Sequence, residues 1–241
     1  MKIVHISDTH SKHNNLNIPE NIDLLIFSGD WSRIGSSSDT ENFFSWLISL
    51  NIPKIVFIAG NHERTLDNDW IKNSHRTNFL VKKEINKVKK LIKSLPNNIT
   101  YLYEESINYM GYNIYGTPWS NMFPAPYMWG FNWLTVNAEK ESCYKIPKNT
   151  NILITHSPPF GILDYVNTIH TGSNYLKEKI LNNLPNLKLH CFGHLHQENN
   201  SDLNFNIEKI NNCLFSNGSV LNHNYEQVVY FPKIITLPDI N

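Results

Sequence analysis

Residues 2–10 read KIVHISDTH, a short run of β-branched residues that breaks into an acid, a threonine and a histidine. A run of this length and type, ended by polar residues, predicts a buried strand. In extended chain residues i and i+2 point to the same side, so Asp8 and His10 are placed to bind as a pair. The pattern recurs. Residues 23–28, 54–59, 151–155 and 188–192 are apolar runs rich in Ile, Val, Leu and Phe, and they lead into Gly29-Asp30, Gly60-Asn61-His62-Glu63, His156 and Gly193-His194-Leu195-His196. Helical candidates of mixed polarity lie between them: 40–50, capped by Ser38 or Asp39, then 82–95, 134–143 and 174–184. Such alternation predicts an α/β fold. After about residue 98 the pattern shifts to strand pairs, 107–115 turning at Met110-Gly111 and 207–210 with 214–216 turning at Asn211-Asn212, which predicts a second, mixed sheet.

Five strands thus deliver polar side chains at their carboxyl ends, where α/β sheets open a crevice. The inventory is Asp8, Asp30, the Asn61 amide oxygen and the imidazoles of His10, His156, His194 and His196. Two carboxylates, one amide and four imidazoles suit two divalent metals bridged by a carboxylate, with mixed N/O ligands fitting Mn, Fe or Zn better than Mg or Ca. Two ions bring about +4, the two acids remove about two and a bridging hydroxide about one more, leaving a centre of about +1 that suits a phosphate ester. A lone histidine at a strand end is ordinarily a satisfied surface or core group, and His5, His13, His75, His170, His190 and His223 are read that way.

Composition narrows the partners. The chain has 241 residues, 41% hydrophobic and 12% aromatic, enough for one well-filled core and a single domain over residues 1–241. Lys+Arg and Asp+Glu both number 21, so no bulk field draws in a nucleic acid polymer or an anionic membrane. The scattered Cys143, Cys191 and Cys213 form neither a disulfide framework nor a metal clip, which predicts a reduced, cytoplasmic setting. The apolar run before Asp8 is too short for a secretion signal. Frequent Asn, as in the pairs at 14–15 and 199–200, never extends into a low-complexity tract.

The series SDTH, GDW, GNHE, THSPP and GHLH, in this order between Asp8 and His196, resembles the calcineurin-like metallophosphoesterase superfamily, whose pattern is D-x-H, G-D, G-N-H-E, H and G-H-x-H. The segments YGTPWSNMF at 115–123, WGFN at 129–132, the His156–Pro159 run and Asn217-Gly218-Ser219 are similar to its small cytosolic metallophosphoesterase-domain branch, itself related to class III cyclic nucleotide phosphodiesterases. Some animal members of that branch carry Gly at the second histidine of G-H-x-H and are weak catalysts, whereas His196 is present here. The resemblance implies two mixed β-sheets packed face to face as a sandwich with flanking helices. It assigns Asp8, His10 and His196 to a first metal, Asn61, His156 and His194 to a second, and Asp30 to a bridge between them. It implies hydrolysis by a metal-bridging hydroxide with His62, which has no metal role in the family pattern, as general acid.

Glu63 is expected to orient a ligand or backbone. Arg33 and Arg64 are expected to be solvated. Residues 117–133 hold Trp119, Phe123, Tyr127, Trp129, Phe131 and Trp133 among three prolines. Rings in an irregular stretch usually plug it onto the core, and only Trp119 or Phe123, with Asn217, is expected to meet substrate. The expected substrate is a small phosphodiester, cyclic nucleotides included. A protein Ser/Thr or nucleotide phosphomonoesterase would call for more arginine, a nuclease for a basic stripe, and a non-catalytic scaffold for a missing ligand.

Overall fold

A computed structural model describes residues 1–73, 79–121, 128–166, 169–196 and 207–239. Its strands are β1 (Lys2–Ile6), β2 (Leu24–Phe27), β3 (Lys54–Phe57), β4 (Ile99–Tyr101), β5 (Glu105–Tyr109), β6 (Tyr112–Thr117) and β7 (Ile152–Thr155). They continue with β8 (Tyr165–Val166), β9 (Ile169–His170), β10 (Leu189–Phe192), β11 (Ile207–Ile210), β12 (Cys213–Asn217) and β13 (Lys233–Thr236). The helices are α1 (Ser37–Ser49), α2 (Asn68–Asn73), α3 (Phe79–Lys93), α4 (Val136–Lys145) and α5 (Asn174–Asn183).

One sheet has the order β13-β1-β2-β3-β4 and the other β11-β12-β10-β7-β6-β5. The central pairs β1–β2, β2–β3, β6–β7, β7–β10 and β10–β12 are parallel, and the edges β13, β5 and β11 pair antiparallel. Alternation along each strand sorts the side chains. Ile3, Leu24, Ile26 and Val56 face the other sheet, where Ile114, Ile152, Ile154 and Leu189 meet them. Val4, Leu25, Phe27 and Phe57 point the opposite way, onto Phe43 and Leu47 of α1. On the far side Leu153, Phe192 and Phe215 pack on Cys143 of α4 and Ile180 of α5. The result is the four-layer α/β/β/α sandwich implied by the sequence. Strands β2, β7 and β10 are buried on both faces, which is why they read as unbroken apolar runs.

Two details differ from the sequence reading. Helix α1 begins earlier than residue 40: Ser36, in extended geometry, accepts a hydrogen bond from the Asp39 N–H at 3.0 Å and is the cap, in place of Ser38 or Asp39. Strands β4, β8, β9 and β13 and helix α2 escape the sequence reading because each is short or half-exposed, so little periodicity betrays it.

The packed histidines make the fold acid-sensitive. His5 lies fully buried between Ser216 Oγ at 2.8 Å and Ser28 Oγ at 2.5 Å, and His190 Nε2 faces Thr155 Oγ1 at 2.8 Å. Burial pushes both down from 6.5 to about 3. The unfolded chain therefore takes up protons below pH 6.5 that the native state refuses until about pH 3, so stability falls as pH drops through that window. Each contributes on the order of a few kcal/mol at the acid end. The Tm of metal-free protein should fall steeply below pH 6.5, and His190→Gln should flatten that slope; an unchanged slope would refute the assignment.

Candidate metal centre

The loops after β1, β2, β3, β7 and β10 meet at one end of the sandwich. Asp8 N–H donates to the Gly29 carbonyl at 2.9 Å, His10 N–H to the Asp30 carbonyl at 3.1 Å, and Gly193 N–H to the His156 carbonyl at 2.9 Å. Ser7 N–H donates to the Gly218 carbonyl at 2.7 Å, tying the first sheet to the second. Left-handed backbone occurs at Asp8 (φ 56°), His10 (39°), Asp30 (60°) and His194 (72°). Such strain costs on the order of 1–3 kcal/mol at a non-glycine residue and persists where surrounding structure overdetermines it, as at functional sites. Two glycines are fixed by close approach. A Cβ at Gly60 would fall on Asp30 Oδ1, and one at Gly193 on Asp8 Oδ2.

Around Asp30 the side chains converge. Its Oδ1 accepts from the His62 N–H at 2.9 Å, while its Oδ2 lies 3.2 Å from His156 Nε2 and 3.9 Å from both His10 Nε2 and His62 Nε2. Asn61 Oδ1 sits 2.9 Å from His156 Nε2 and 2.9 Å from His194 Nδ1. On the other flank His196 Nε2 is 3.4 Å from Asp8 Oδ1 and 3.2 Å from His10 Nε2. Three groups have ligand atoms within 4.8 Å of one another: Asp8, His10 and His196; His10, Asp30 and His62; Asp30, His156 and His194.

The donor set fits divalent metal. The His10 Nδ1–H points at the Ser32 carbonyl at 3.2 Å and that of His156 at the Ser28 carbonyl at 2.8 Å, which turns each Nε2 toward the cluster. Burial pushes His10 and His194 down to about 3, so both are neutral and able to ligate at pH 7. Burial opposes charge on both acids, yet neighbouring histidines hold Asp8 and Asp30 below the usual carboxylate range. His156, against burial, is raised to about 9 by Asp30 and Asp8. Asp8 Oδ2 accepts from the His194 N–H and from Ser219 Oγ, each at 2.9 Å, but the buried Asp8 Oδ1 has no hydrogen-bond donor among the described residues. An orphaned carboxylate oxygen beside converging imidazoles is what a cation would complete.

Glu63 acts as the clamp expected of it. Its carboxylate accepts from the N–H groups of Asp30, Ser32 and Gly60 at 2.8, 2.9 and 2.8 Å, pinning the loops after β2 and β3 together. Burial, reinforced by Asp30, raises its carboxyl to about 8.

The sequence pattern of the calcineurin-like phosphoesterase family matches residues 1–198. The chain belongs to that family. Human metallophosphoesterase domain-containing protein 1 is 33% identical over 243 residues, covering 98% of this chain and 71% of its own length. The Caenorhabditis elegans UPF0046 protein K07C11.7 is 28% identical, covering 97% and 76%. The fold is also that of the Thermus thermophilus protein TT1561, with a TM-score of 0.58 at 14% identity over 90% of this chain and 88% of that one. Members of the calcineurin-like family are phosphohydrolases that use divalent metals, and the His/Asp cluster of this phosphoesterase is where such ions would sit.

The remaining residues divide. His62 joins the cluster, its Nδ1–H directed at the Arg33 carbonyl at 2.6 Å. The Trp129 ring stacks on it at 4.0 Å, a role the sequence reading did not give that residue. Tyr225, also missed, lays its ring 4.5 Å from His10 and 4.4 Å from His196, and it lies beyond the family match. No strand-end pattern marks either ring. Asn217 is fully buried, as Asp8 and His156 are; its Oδ1 accepts from the Ser219 N–H at 3.0 Å and its Nδ2 donates to the Leu195 carbonyl at 3.4 Å, so it braces the loops beside the cluster. Trp119 donates its Nε1–H to Glu104 at 3.0 Å and lines a cavity separate from the pocket formed by His10, Lys12, Arg33, His62 and Tyr225. Phe123 lies outside the described residues, as does His75. Arg64 donates to the carbonyls of Ile34 at 3.0 Å and Met128 at 3.3 Å, while Arg33 is exposed. No described helix is long and apolar enough to cross a membrane.

Proposed function

We propose that this chain hydrolyses small phosphodiesters, cyclic nucleotides among them, with two divalent metals of which Mn is favoured and Fe or Zn come next. Asp8, His10 and His196 would hold one ion, Asn61, His156 and His194 the other, and Asp30 would touch both. When bound, such ions lower the pKa of water and neutralise phosphoryl oxygens. The chain's own residues do the rest. Glu63 holds the loops that carry Asp30 and Asn61, and His62, oriented by the Arg33 carbonyl and the Trp129 ring, gives a proton from Nε2 to the leaving oxygen.

One observation supports diester over monoester: no described guanidinium is buried at the cluster. A monoester dianion ordinarily wants such a clamp. The monoesterase reading draws on Lys12 and Arg33, which line the adjoining pocket. A kcat/KM panel with Mn²⁺ at neutral pH separates the two. Bis-p-nitrophenyl phosphate and 2′,3′- or 3′,5′-cyclic nucleotides should exceed p-nitrophenyl phosphate; a monoester well above every diester would overturn the diesterase reading. Stacking by Trp119 or Phe123 remains part of this proposal, worth about 1–3 kcal/mol per base where it occurs.

The partner proposed is a small phosphoester, with no nucleic acid polymer or membrane. Three buried, unpaired cysteines support a cytoplasmic setting, with residues 1–241 as one catalytic unit.

A further inference from the structure

His62 borders a cavity of about 560 Å³ that it shares with His10, Lys12, Arg33 and Tyr225, a size that suits a small ligand. Three loops build it. The one after β1 brings Lys12, whose N–H donates to the Thr9 carbonyl at 2.7 Å. The one after β2 brings Arg33, whose carbonyl takes the His62 Nδ1–H at 2.6 Å. Tyr225 comes from a turn after β12, in which Asn222 Oδ1 accepts from the N–H groups of Glu226 and Gln227 at 3.0 and 3.3 Å and Leu221 bridges Val228. The turn holds Tyr225 in left-handed backbone, φ 60°, and its ring against His10 and His196.

The charge of this wall is one-sided. Two cations line the cavity and no carboxylate does. Lys72, Lys87 and Lys145 are each paired with an acid, whereas neither the Lys12 ammonium nor the Arg33 guanidinium has one among the described residues. Asp39 meets Arg33 at the backbone N–H, at 3.5 Å. Unpaired cations on a concave surface concentrate anions there. The acids of the neighbouring cluster, Asp8 and Asp30, are the ones that bound metals would balance.

We infer that this cavity receives the departing arm of the substrate and selects alcohols that carry a second negative charge, a phosphate or a carboxylate, held by Lys12 and Arg33 beside the Tyr225 ring. The inference rests on the phosphodiesterase reading: water adds to phosphorus, the P–O bond breaks, and the oxygen that departs takes its proton from His62, so that arm lies on the His62 side. The two cations then serve the group beyond the scissile phosphoryl group, in place of clamping the phosphoryl itself as a monoesterase would have them do.

The test compares methyl 4-carboxyphenyl phosphate with its neutral counterpart, methyl 4-carbamoylphenyl phosphate, on the Mn²⁺-loaded full chain. The neutral phenol is the better leaving group, so intrinsic reactivity works against the expected result. The carboxylate should show a kcat/KM about five- to tenfold higher, the scale of exposed charge-assisted contacts. That ratio should fall toward one in Lys12→Gln, in Arg33→Gln and at high salt. A native ratio of one or less, or a ratio unmoved by both substitutions, would overturn the inference; so would loss of p-nitrophenyl phosphate hydrolysis in the variants with the ratio intact, which would return the cations to the scissile phosphoryl group. Absence of hydrolysis of either diester counts against the phosphodiesterase reading alone, and calorimetric titration with the departing arms then decides. In the native chain 4-hydroxybenzoate should bind several-fold tighter than 4-hydroxybenzamide, and the two should bind alike once Lys12 and Arg33 are both replaced by Gln. No such difference in the native chain, or one that survives the double substitution, would remove the anion site whatever the reaction.

Discussion

Asp30→Asn is expected to remove the Mn²⁺-dependent rise in Tm and at least ~10² of kcat/KM together, beyond the 10–100-fold typical of losing an outer partner of a metal ligand. Asp30 Oδ2 lies within 3.9 Å of His10 and 3.2 Å of His156, imidazoles on opposite flanks of the cluster, and no other described carboxylate belongs to two of the three ligand groups. A neutral amide cannot balance cations on two sides. An ion present at 100 times its dissociation constant stabilises the native state by about 2.7 kcal/mol, and that gain should vanish. Asp8→Asn and His196→Ala alter one flank only, so calorimetry should show them keeping about half of the metal stoichiometry. Should Asp30→Asn retain both the Tm rise and the rate, the bridging role is excluded.

His62→Asn should slow hydrolysis of alkyl or ribose diesters by about 10²–10⁴-fold and of a p-nitrophenyl diester far less. A proton donor matters in proportion to the basicity of the leaving oxygen, and p-nitrophenolate departs without one. The geometry fits the role: Nδ1 is committed to the Arg33 carbonyl at 2.6 Å, so Nε2 is the atom left to face substrate. His62 also belongs to a group with His10 and Asp30 whose atoms would reach a cation. Equal losses on both substrate types, with weaker Mn²⁺ binding, would make it a ligand in place of an acid.

The two roles differ in how far they could be read from residues alone. A strand announces itself through local alternation, and a loop through the Gly, Asp and His that end it, so Asp8, Asp30, Asn61, His156, His194 and His196 were legible as candidate ligands, as was their common location at strand ends. The packing of His5 and His190 was legible too, because neither stands in a polar cluster. Sandwich layering entered only by family resemblance, since an unbroken apolar run shows that a strand has two buried faces but not what covers each.

Other features have no local signature. Trp129 and Tyr225 flank the cluster from irregular segments, and only the folded chain shows which of many rings reaches His10 or His62. Asn217 ends β12, and only the folded chain shows that its side chain bonds Leu195 and Ser219. Sequence by itself determined the strand-end chemistry and the α/β class, because period and residue type act over a few residues. Tertiary structure alone decided that the Trp129 and Tyr225 rings flank the cluster and that Asp8 Oδ1 is left without a donor, because each depends on burial and on distances between segments far apart in the chain.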